Sequence, residues 1–255
     1  MPLAHQRADD DTVRSGTIVL ADEQLAGRGR QSRRWETPPR QALLLSIIFQ
    51  QPLPWALHEI PMAAALAAVQ AVSSCWSTLS AEVGLKWPND LLLGQNMASA
   101  GKFGGILVEN SFYGTEISHV VVGMGINVLQ SATMLPPAQP GAPPPTSLRH
   151  YLATNKQQVS CDRTDLLIAL CLAWSALVAP SQESPTLQQR WRAKLWTLGQ
   201  QVTVHAGVGQ PGSQNVLLMG EAVDVTPEGH LLVRDADGTL QRCTAGDVSI
   251  RMAPP

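Results

Sequence analysis

Charged residues, cysteines and long apolar runs are all scarce in this chain. Only 15% of its 255 residues are charged, and the formal net charge is −2. Such a composition lacks the strongly basic surface that is typical of bulk nucleic-acid binding. No stretch reaches the roughly 18 apolar residues of a membrane-spanning helix, and no apolar segment near the start predicts a signal peptide. We therefore expect a cytoplasmic protein that binds neither DNA nor membranes.

The few side chains suited to metal binding or redox chemistry are scattered. The chain has four cysteines and six histidines, and none of them forms a CxxC pair or the spacing of a zinc site. Widely spaced cysteines favour reduced thiols over a disulfide framework. We therefore predict no metal site made by the protein alone.

Apolar patterning predicts an α+β domain. Apolar runs favour strands, and an Ala-rich stretch opened by Pro61 favours a long helix. The predicted strands are 17–22, 42–49, 85–93 with a break at Pro88, 103–109 and 119–128, and the predicted helices are 61–79, 162–178 and 185–196. The strands 103–109 and 119–128 are expected to be antiparallel neighbours. Residues 135–147 hold six prolines, which predicts an extended loop.

The pattern changes after Gly199. Short alternating strands separated by Gly and Asp-Gly turns follow, at 202–205, 215–221, 230–234 and 239–244. We interpret residues 199–255 as a small C-terminal β-barrel domain and residues 1–198 as the main domain.

The most informative segment is a basic loop at residues 27–40, which we call the arginine loop. It holds five arginines, two glycines and one tryptophan against a single acid. The guanidinium fork matches phosphate and carboxylate oxygens, glycine lets backbone N–H groups approach a ligand, and a tryptophan face can stack on a base. The pattern indicates a loop that closes over a nucleotide or another anion, and a solvated basic turn is the alternative.

Four further segments carry groups suited to a binding site. Residues 86–90, Lys-Trp-Pro-Asn-Asp, place a lysine, an amide and a carboxylate at a proline-broken strand end. Residues 102–109, Lys-Phe-Gly-Gly-Ile-Leu-Val-Glu, and 123–127, Gly-Met-Gly-Ile-Asn, place glycines inside apolar strands. Glycine weakens a strand, so its presence there favours a ligand lying against the backbone. The fourth segment is 246–251, Gly-Asp-Val-Ser-Ile-Arg.

Taken together and in this order, the segments resemble the biotin protein ligases, also called biotin–acetyl-CoA-carboxylase ligases. The resemblance implies a mixed β-sheet backed by helices, with a small C-terminal β-barrel. It implies that biotin and ATP form biotinyl-5′-AMP and pyrophosphate, and that a lysine of a biotin carboxyl carrier domain then takes the biotin. Mg²⁺ would enter with ATP, near Asp90. No helix-turn-helix segment is found, so the chain resembles the monofunctional type without a DNA-binding domain.

The resemblance implies a role for each motif residue. Biotin would contact Gln24, Gly27, Arg28, Arg30, Lys102, Gly105, Gly123 and Gly125. ATP would contact Arg30, Arg33, Trp35, Lys86, Asn89, Asn127 and Arg251. The catalytic residues would be Arg30, Lys86, Asp90 and Lys102. The arginine loop would be disordered when empty and would fold over the adenylate, with Trp35 packing on adenine.

Three points stay open at this stage. The family's Ser-Thr-Asn motif, whose hydroxyls bind the biotin ureido ring, is not found upstream of the arginine loop. A lipoate or octanoate ligase or transferase of the same fold, and a non-catalytic biotin-binding module, are the alternative functions. A homodimer formed through a sheet edge is open as well.

Overall fold

The chain folds into β-sheets with helices packed mainly against the first of them. A computed structural model describes residues 1–10, 12–30, 34–139, 141–155, 160, 162–178, 185–205, 216–244 and 247–250. The strands are β1 Thr17–Ala21, β2 Ala42–Gln50, β3 Val83–Lys86, β4 Asp90–Leu93, β5 Gly101–Tyr113, β6 Glu116–Asn127, β7 Gln201–His205, β8 Val216–Val225, β9 Leu231–Arg234, β10 Leu240–Cys243 and β11 Asp247–Ile250. The α-helices are α1 Pro2–Ala8, α2 Ile60–Cys75, α3 Leu148–Thr154, α4 Arg163–Val178 and α5 Leu187–Arg192.

In the described part of the chain, the first sheet has six antiparallel strands in the order β1-β2-β6-β5-β4-β3. Single-residue parallel bridges from Leu85 to Leu195 and from Lys102 to Pro145 make the sheet mixed. β2 lies in its interior, with eight consecutive buried residues. The continuous apolar run of this strand had predicted burial on both faces, and that prediction is confirmed.

The two faces of this sheet are covered by different helices. α2 and α4 pack on one face, where Leu45 and Ile47 enter the main core. The short α1 packs on the other face, against Ile48 and Val121. Side chains alternate along a strand, so Gly123 and Gly125 of β6 lie on the same face as Val121, and Gly105 of β5, the strand partner of Gly125, lies on that face as well. This placement leaves the glycine-bearing part of the sheet outside the main core.

The helices were predicted less well than the strands. The helix predicted at 61–79 ends earlier, at Cys75, because Trp76 leaves the helical conformation at φ −135° and ψ 83°. The helix predicted at 185–196 is confined to α5, whose start is capped by Thr186. α1 and α3 were not predicted, since seven residues are too few to show a clear helical period. None of the helices in the described ranges is long and apolar enough to cross a membrane.

Residues 85–93 form a hairpin and not one interrupted strand. β3 and β4 are antiparallel neighbours, and Lys86 is the strand partner of Asp90. Pro88 has no N–H to donate to a strand ladder, and the chain reverses direction around it. The predicted break is confirmed, but the predicted direction of the chain after it was wrong. The reversal brings the lysine and the carboxylate of this motif side by side.

The second sheet contains the strands from β7 onward in the order β10-β9-β8-β7-β11, and all neighbours are antiparallel. A small C-terminal all-β unit is therefore confirmed. Within the described residues, however, the outer strands β10 and β11 do not pair with each other. The unit is an open sheet there, and closure into the predicted β-barrel is not seen among those residues.

The β3–β4 hairpin is fastened to the segment that carries the second sheet. The backbone N–H of Trp87 donates to Thr197 Oγ1 at 2.8 Å, and its indole N–H donates to the carbonyl of Gly229 at 2.9 Å. Trp87 and Thr197 are both buried. These bonds fix the position of the Lys86–Asp90 hairpin relative to the second sheet.

Candidate active site

Adjacent strands β5 and β6 present a patch of bare backbone, Gly105, Gly123 and Gly125, which we call the glycine floor. Gly105 and Gly125 are direct strand partners. A Cβ atom on Gly125 would lie 2.8 Å from the ring of Trp35, and one on Gly123 would lie 2.6 Å from the sulfur of Met1. Neighbouring groups lie this close only because glycine has no side chain. The floor predicted from the sequence is therefore a surface that a flat group can approach closely.

A carboxylate between two ammonium groups lies beside the glycine floor. Asp90 Oδ1 is 2.6 Å from Lys102 Nζ, and Asp90 Oδ2 is 3.8 Å from Lys86 Nζ. The side chains of Lys86 and Asp90 are 8% and 15% exposed, whereas that of Lys102 is 30% exposed. Lys102 Nζ also lies 3.8 Å from the position of a Cβ on Gly105. Lys102 is thus the cation that a ligand on the floor would meet, with the other two charges behind it.

Trp35 covers the glycine floor. Its ring lies against Gly125 and extends towards Gly105, and Lys102 Nζ lies 5.8 Å from the ring centroid, within cation–π range. Its indole Nε1 is buried and has no hydrogen-bond partner among the described residues. An aromatic ring, a free donor, an ammonium group and bare backbone together suit a small ligand that is partly apolar and carries an anion.

The arginine loop is closed at its base by backbone contacts. The N–H of Trp35 donates to the carbonyl of Gly27 at 3.0 Å, and Arg28 and Arg34 form an antiparallel bridge. A Cβ on Gly27 would overlap the carbonyl oxygen of Trp35, so this close approach requires glycine. Arg33 lies outside the described residues, and its predicted phosphate contact stays a prediction.

The two amides predicted to bind ATP make bonds within the protein. Asn89 Nδ2 donates to the carbonyl of Ile106 at 2.6 Å and so ties the hairpin to β5. Asn127 is 5% exposed; its Nδ2 donates to the carbonyl of Thr146 at 3.0 Å, and its Oδ1 accepts from Gln130 at 2.8 Å. Both amides therefore position the backbone around the site, and their contacts with ATP stay predictions.

Two further predicted residues, Arg30 and Gln24, lie at the edges of this site. Arg30 is half-buried and lines a cavity of about 290 Å³ together with Trp87 of the hairpin and His230 near the second sheet. Gln24 is half-buried beside Gly27. Arg251 lies outside the described residues.

The charges at the site do not form a metal centre. Within the described ranges, no group of three or more His, Cys, Asp or Glu side chains is arranged to hold a metal ion. Both carboxylate oxygens of Asp90 face ammonium groups. A carboxylate in that position does not fit a Mg²⁺ ligand, because the lysines already neutralise it.

A polar cluster next to the glycine floor was not predicted from the sequence. His5 and His119 are 114 residues apart in the chain, yet their rings are in contact. Glu109, the last residue of the motif at 102–109, contacts His5. The carboxylate that ends this apolar motif was the only signal in the sequence that could have pointed to the cluster.

The sheet order, the appended β-unit and the glycine floor place the chain in a known class of fold. The structure of the biotin protein ligase from Aquifex aeolicus in complex with biotin and ATP matches 98% of this chain and 95% of that chain. The TM-score is 0.68 and the sequence identity is 23%. The fold is therefore that of the biotin protein ligases.

The amino-acid sequence is similar to one family over most of its length. The model of the Biotin/lipoate A/B protein ligase family matches residues 4–127, and that of the Biotin protein ligase C terminal domain matches residues 197–251. The biotin--[acetyl-CoA-carboxylase] ligase of Mycobacterium tuberculosis is 32% identical over 238 residues, which cover 91% of this chain and 78% of that protein. The corresponding ligase of Paracoccus denitrificans is 32% identical over 192 residues, which cover 75% and 76%. The chain belongs to the biotin protein ligase family, as its motifs predicted.

Proposed function

We propose that this chain is an ATP-dependent biotin–[acetyl-CoA-carboxylase] ligase. It forms biotinyl-5′-AMP from biotin and ATP and transfers the biotin to a lysine of a biotin carboxyl carrier domain. The observation that carries the proposal is the position of Lys102, whose ammonium group lies beside the glycine floor, between the Asp90 carboxylate and the ring of Trp35. Relatives named as ligases of this kind, which match most of the chain, support it.

In the first step, a carboxylate oxygen of biotin forms a bond to the α-phosphorus of ATP. The bond from that phosphorus to the oxygen bridging to the β-phosphate breaks, and pyrophosphate leaves. Two anions have to approach each other, so a cation held between them lowers the barrier. Lys102 would supply this cation, and Asp90 holds its ammonium group beside the glycine floor through the 2.6 Å contact. Arg30 would hold the adenylate phosphate from the side of the cavity.

In the second step, the ε-amine of the carrier lysine forms a bond to the acyl carbon of the mixed anhydride. The bond from that carbon to the phosphate oxygen breaks, AMP leaves, and the amine gives up a proton. The enzyme supplies no nucleophile in either step. Its contribution is to hold the reactants and to stabilise the charge on the phosphate.

The other residues take the roles that the family pattern assigns. Gln24, Gly27 and Arg28 would contact biotin. The close packing of the Trp35 ring on the glycine floor supports the proposal that this surface can also bind a flat ligand. Contacts of Arg33, Lys86, Asn89, Asn127 and Arg251 with ATP, and the packing of Trp35 on adenine in the closed loop, are part of the proposal. Mg²⁺ would arrive bound to the ATP phosphates.

The proposal includes the organisation and setting of the chain. Residues 1–198 form the catalytic domain that binds biotin and ATP, and residues 199–255 form the small C-terminal domain. The partner is a biotin carboxyl carrier domain in the cytoplasm, and DNA is not a partner. A homodimer through a sheet edge is compatible with the exposed position of β1 in the strand order.

Pyrophosphate release and carrier labelling test the proposal together. The purified chain would be mixed with labelled biotin, Mg·ATP and a biotin carboxyl carrier domain, with lipoate and octanoate in parallel reactions. We expect pyrophosphate release that depends on biotin, followed by label on the carrier. A carrier in which the target lysine is replaced by arginine is the matched control, and it should stay unlabelled while adenylate still forms.

Each alternative function predicts a different result. Labelling by lipoate or octanoate in preference to biotin would assign the chain to the other branch of this fold. Biotin binding without pyrophosphate release would identify a non-catalytic binding module. Either result would overturn the proposed ligase.

A further inference from the structure

The short helix α1 buries little apolar surface on the first sheet. Ala4 and Ala8 are its buried residues, and they pack against Ile48 and Val121 of the sheet. The side-chain amide of Gln50 donates to the carbonyl of Ala8 at 3.2 Å. An element with so small an apolar contact belongs to the parts of a fold that open most easily. Its polar contacts therefore carry a large share of its attachment.

His5 of α1 makes the polar part of this attachment. Its Nε2 lies 2.9 Å from Glu109 Oε2 on β5, and its Nδ1 lies 2.9 Å from Nε2 of His119 on β6. His119 Nδ1 lies 3.3 Å from the hydroxyl oxygen of Ser118. His119 is 3% exposed, whereas the side chain of His5 is 24% exposed. The two imidazole rings thus face each other, with a carboxylate on one side and a hydroxyl on the other.

The hydrogen bonds of this histidine pair are complete when the pair carries no added proton and when it carries one. A carboxylate only accepts, so His5 Nε2 carries the hydrogen that faces Glu109. In the neutral pair, His119 Nε2–H donates to His5 Nδ1. After one proton is added, His5 Nδ1–H donates to His119 Nε2, and His119 Nδ1–H donates to the hydroxyl of Ser118. The carboxylate of Glu109 then stabilises the positive charge on His5.

A second proton has no comparable arrangement in the docked helix. Both imidazoles would carry a hydrogen on the two nitrogens that face each other at 2.9 Å. The hydroxyl of Ser111, 3.4 Å from His5 Nδ1, can accept one of these hydrogens, but the two positive rings would stay in contact. Burial, and then His5, lower the pKa of His119, and the charge of Asp9 acts in the opposite direction. The docked helix therefore resists the second proton.

The other charges around the pair do not compensate for a second proton. Glu109 also pairs with Arg28, whose Nη2 lies 3.3 Å from Glu109 Oε1. The amino group of Met1 is close enough to Glu109 and Arg28 for both charges to act on its pKa, which burial lowers. One carboxylate thus already faces several cations before the pair is doubly protonated. With a second proton, cations would outnumber the carboxylates of Glu109 and Asp9.

We propose that His5 and His119 form an acid-sensitive fastening, which releases α1 from the first sheet when the pair takes up a second proton. An imidazole released into solvent has a pKa of about 6.5. The contribution of the pair to docking is therefore complete above about pH 6.5 and is lost as the pH falls towards the lower pKa of docked His119. Met1, directly before α1, has its sulfur against Gly123 of the glycine floor, so release of the helix uncovers that end of the floor. This property belongs to the fold and does not depend on the proposed ligase activity.

Hydrogen exchange of the amides of residues 5–8, corrected for the intrinsic exchange rate at each pH, tests this inference. We expect their protection to fall by up to about tenfold for each pH unit below about 6.5, because the released state binds up to one proton more than the docked state. His119→Gln removes the second proton, and its amide can donate to His5 or accept from it, so the helix should stay protected. His150→Gln, on α3, is the matched control and should lose protection as the wild type does.

Titration of the imidazoles of the wild-type protein by NMR gives a readout that needs no variant. We expect two steps separated by more than about one pH unit, as for a coupled pair. Independent titration of both rings near pH 6.5 would overturn the inference. So would a folded His119→Gln that loses protection as the wild type does. Loss of protection that begins only near pH 4.3, where a glutamate takes up a proton, would assign the fastening to Glu109 and overturn the role of the pair.

Thermal unfolding at neutral pH shows whether His119→Gln is folded. If it is not, the titration and the exchange of the wild-type protein decide. Protection that stays constant down to about pH 5 in the wild type would then refute the fastening.

Discussion

Replacing Lys102 by alanine should separate catalysis from folding. The ammonium group of Lys102 is the most exposed member of the Lys86–Asp90–Lys102 group. Its removal does not leave Asp90 without a counter-charge, because Lys86 Nζ remains 3.8 Å from the carboxylate. We therefore expect Lys102→Ala to lose at most about 1 kcal/mol of the free energy of unfolding, as for other partly exposed ion pairs.

The expected loss of activity is much larger. In the proposed function, Lys102 faces both the biotin carboxylate and the α-phosphate, whose mutual repulsion grows as the bond forms. Loss of one preorganised group that stabilises developing charge typically costs about 3–4 kcal/mol, or a factor of about 10²–10³ in rate. Adenylate formation should fall by this factor, while a stability loss of about 1 kcal/mol lowers Tm by only about 2–4 °C.

Pyrophosphate release at saturating biotin and Mg·ATP measures the rate of adenylate formation, and thermal unfolding measures the stability. Lys194→Ala is the matched control, because its ammonium group donates to the carbonyl of Ser80 at 3.5 Å and is not part of the Lys86–Asp90–Lys102 group. Near-normal pyrophosphate release from Lys102→Ala would refute the assignment. A fall in activity matched by extensive unfolding would refute the argument that Lys86 suffices to neutralise Asp90.

Three further predictions concern the arginine loop, the glycine floor and the half-buried phenol of Tyr151. Arg30→Gly should weaken retention of the adenylate more than the binding of biotin, and the released anhydride should biotinylate unrelated proteins, as seen on a streptavidin blot; a clean blot would argue against a phosphate contact. Gly27→Ala should open the base of the loop and raise the KM for biotin. Gly105→Ala, whose Cβ would meet its nearest atoms at 3.8 Å, should leave the loop closed but obstruct biotin sterically. Hydrogen exchange of the Trp35 amide, which should become faster in the Gly27 variant alone, distinguishes the two effects. Burial raises the pKa of Tyr151 to about 12, so folding stability should be fully present below pH 10 and decline between about pH 10 and 12, and Tyr151→Phe should remove that part of the decline in denaturant titrations.

The chemistry of residues 86–90 could be predicted from sequence, but their geometry could not. A lysine, an amide and a carboxylate next to a proline indicate a binding site, and this inference does not depend on the path of the backbone between them. Whether the chain continues or reverses at Pro88 depends on strand pairing with β5 and on the bonds of Trp87 to distant residues. Those long-range contacts have no local signature, so the hairpin was missed.

The polar cluster was missed for the same physical reason. His5 and His119 meet only because α1 packs across β6, and α1 is too short to be recognised from its periodicity. For Asn127, by contrast, the sequence motif predicted a ligand contact, and the structure adds a contact within the protein. Its side-chain amide donates to the carbonyl of Thr146 in the proline-rich loop. The strands could be predicted because buried strands consist of apolar runs. The glycine positions could be predicted because glycine inside such a run is unusual and indicates a close approach to the backbone.

The two hydrogen bonds of Trp87 have a consequence for how this protein can be divided. The second sheet lies at the end of the chain and resembles a module that could be cut off. Its neighbour Thr197 and its turn residue Gly229, however, supply both acceptors for the tryptophan between Lys86 and Asp90. Truncation before the second sheet would leave the indole N–H without its acceptor inside the protein. The position of the Lys86–Asp90 hairpin therefore depends on the C-terminal sheet, and we expect a minimal active fragment to need both.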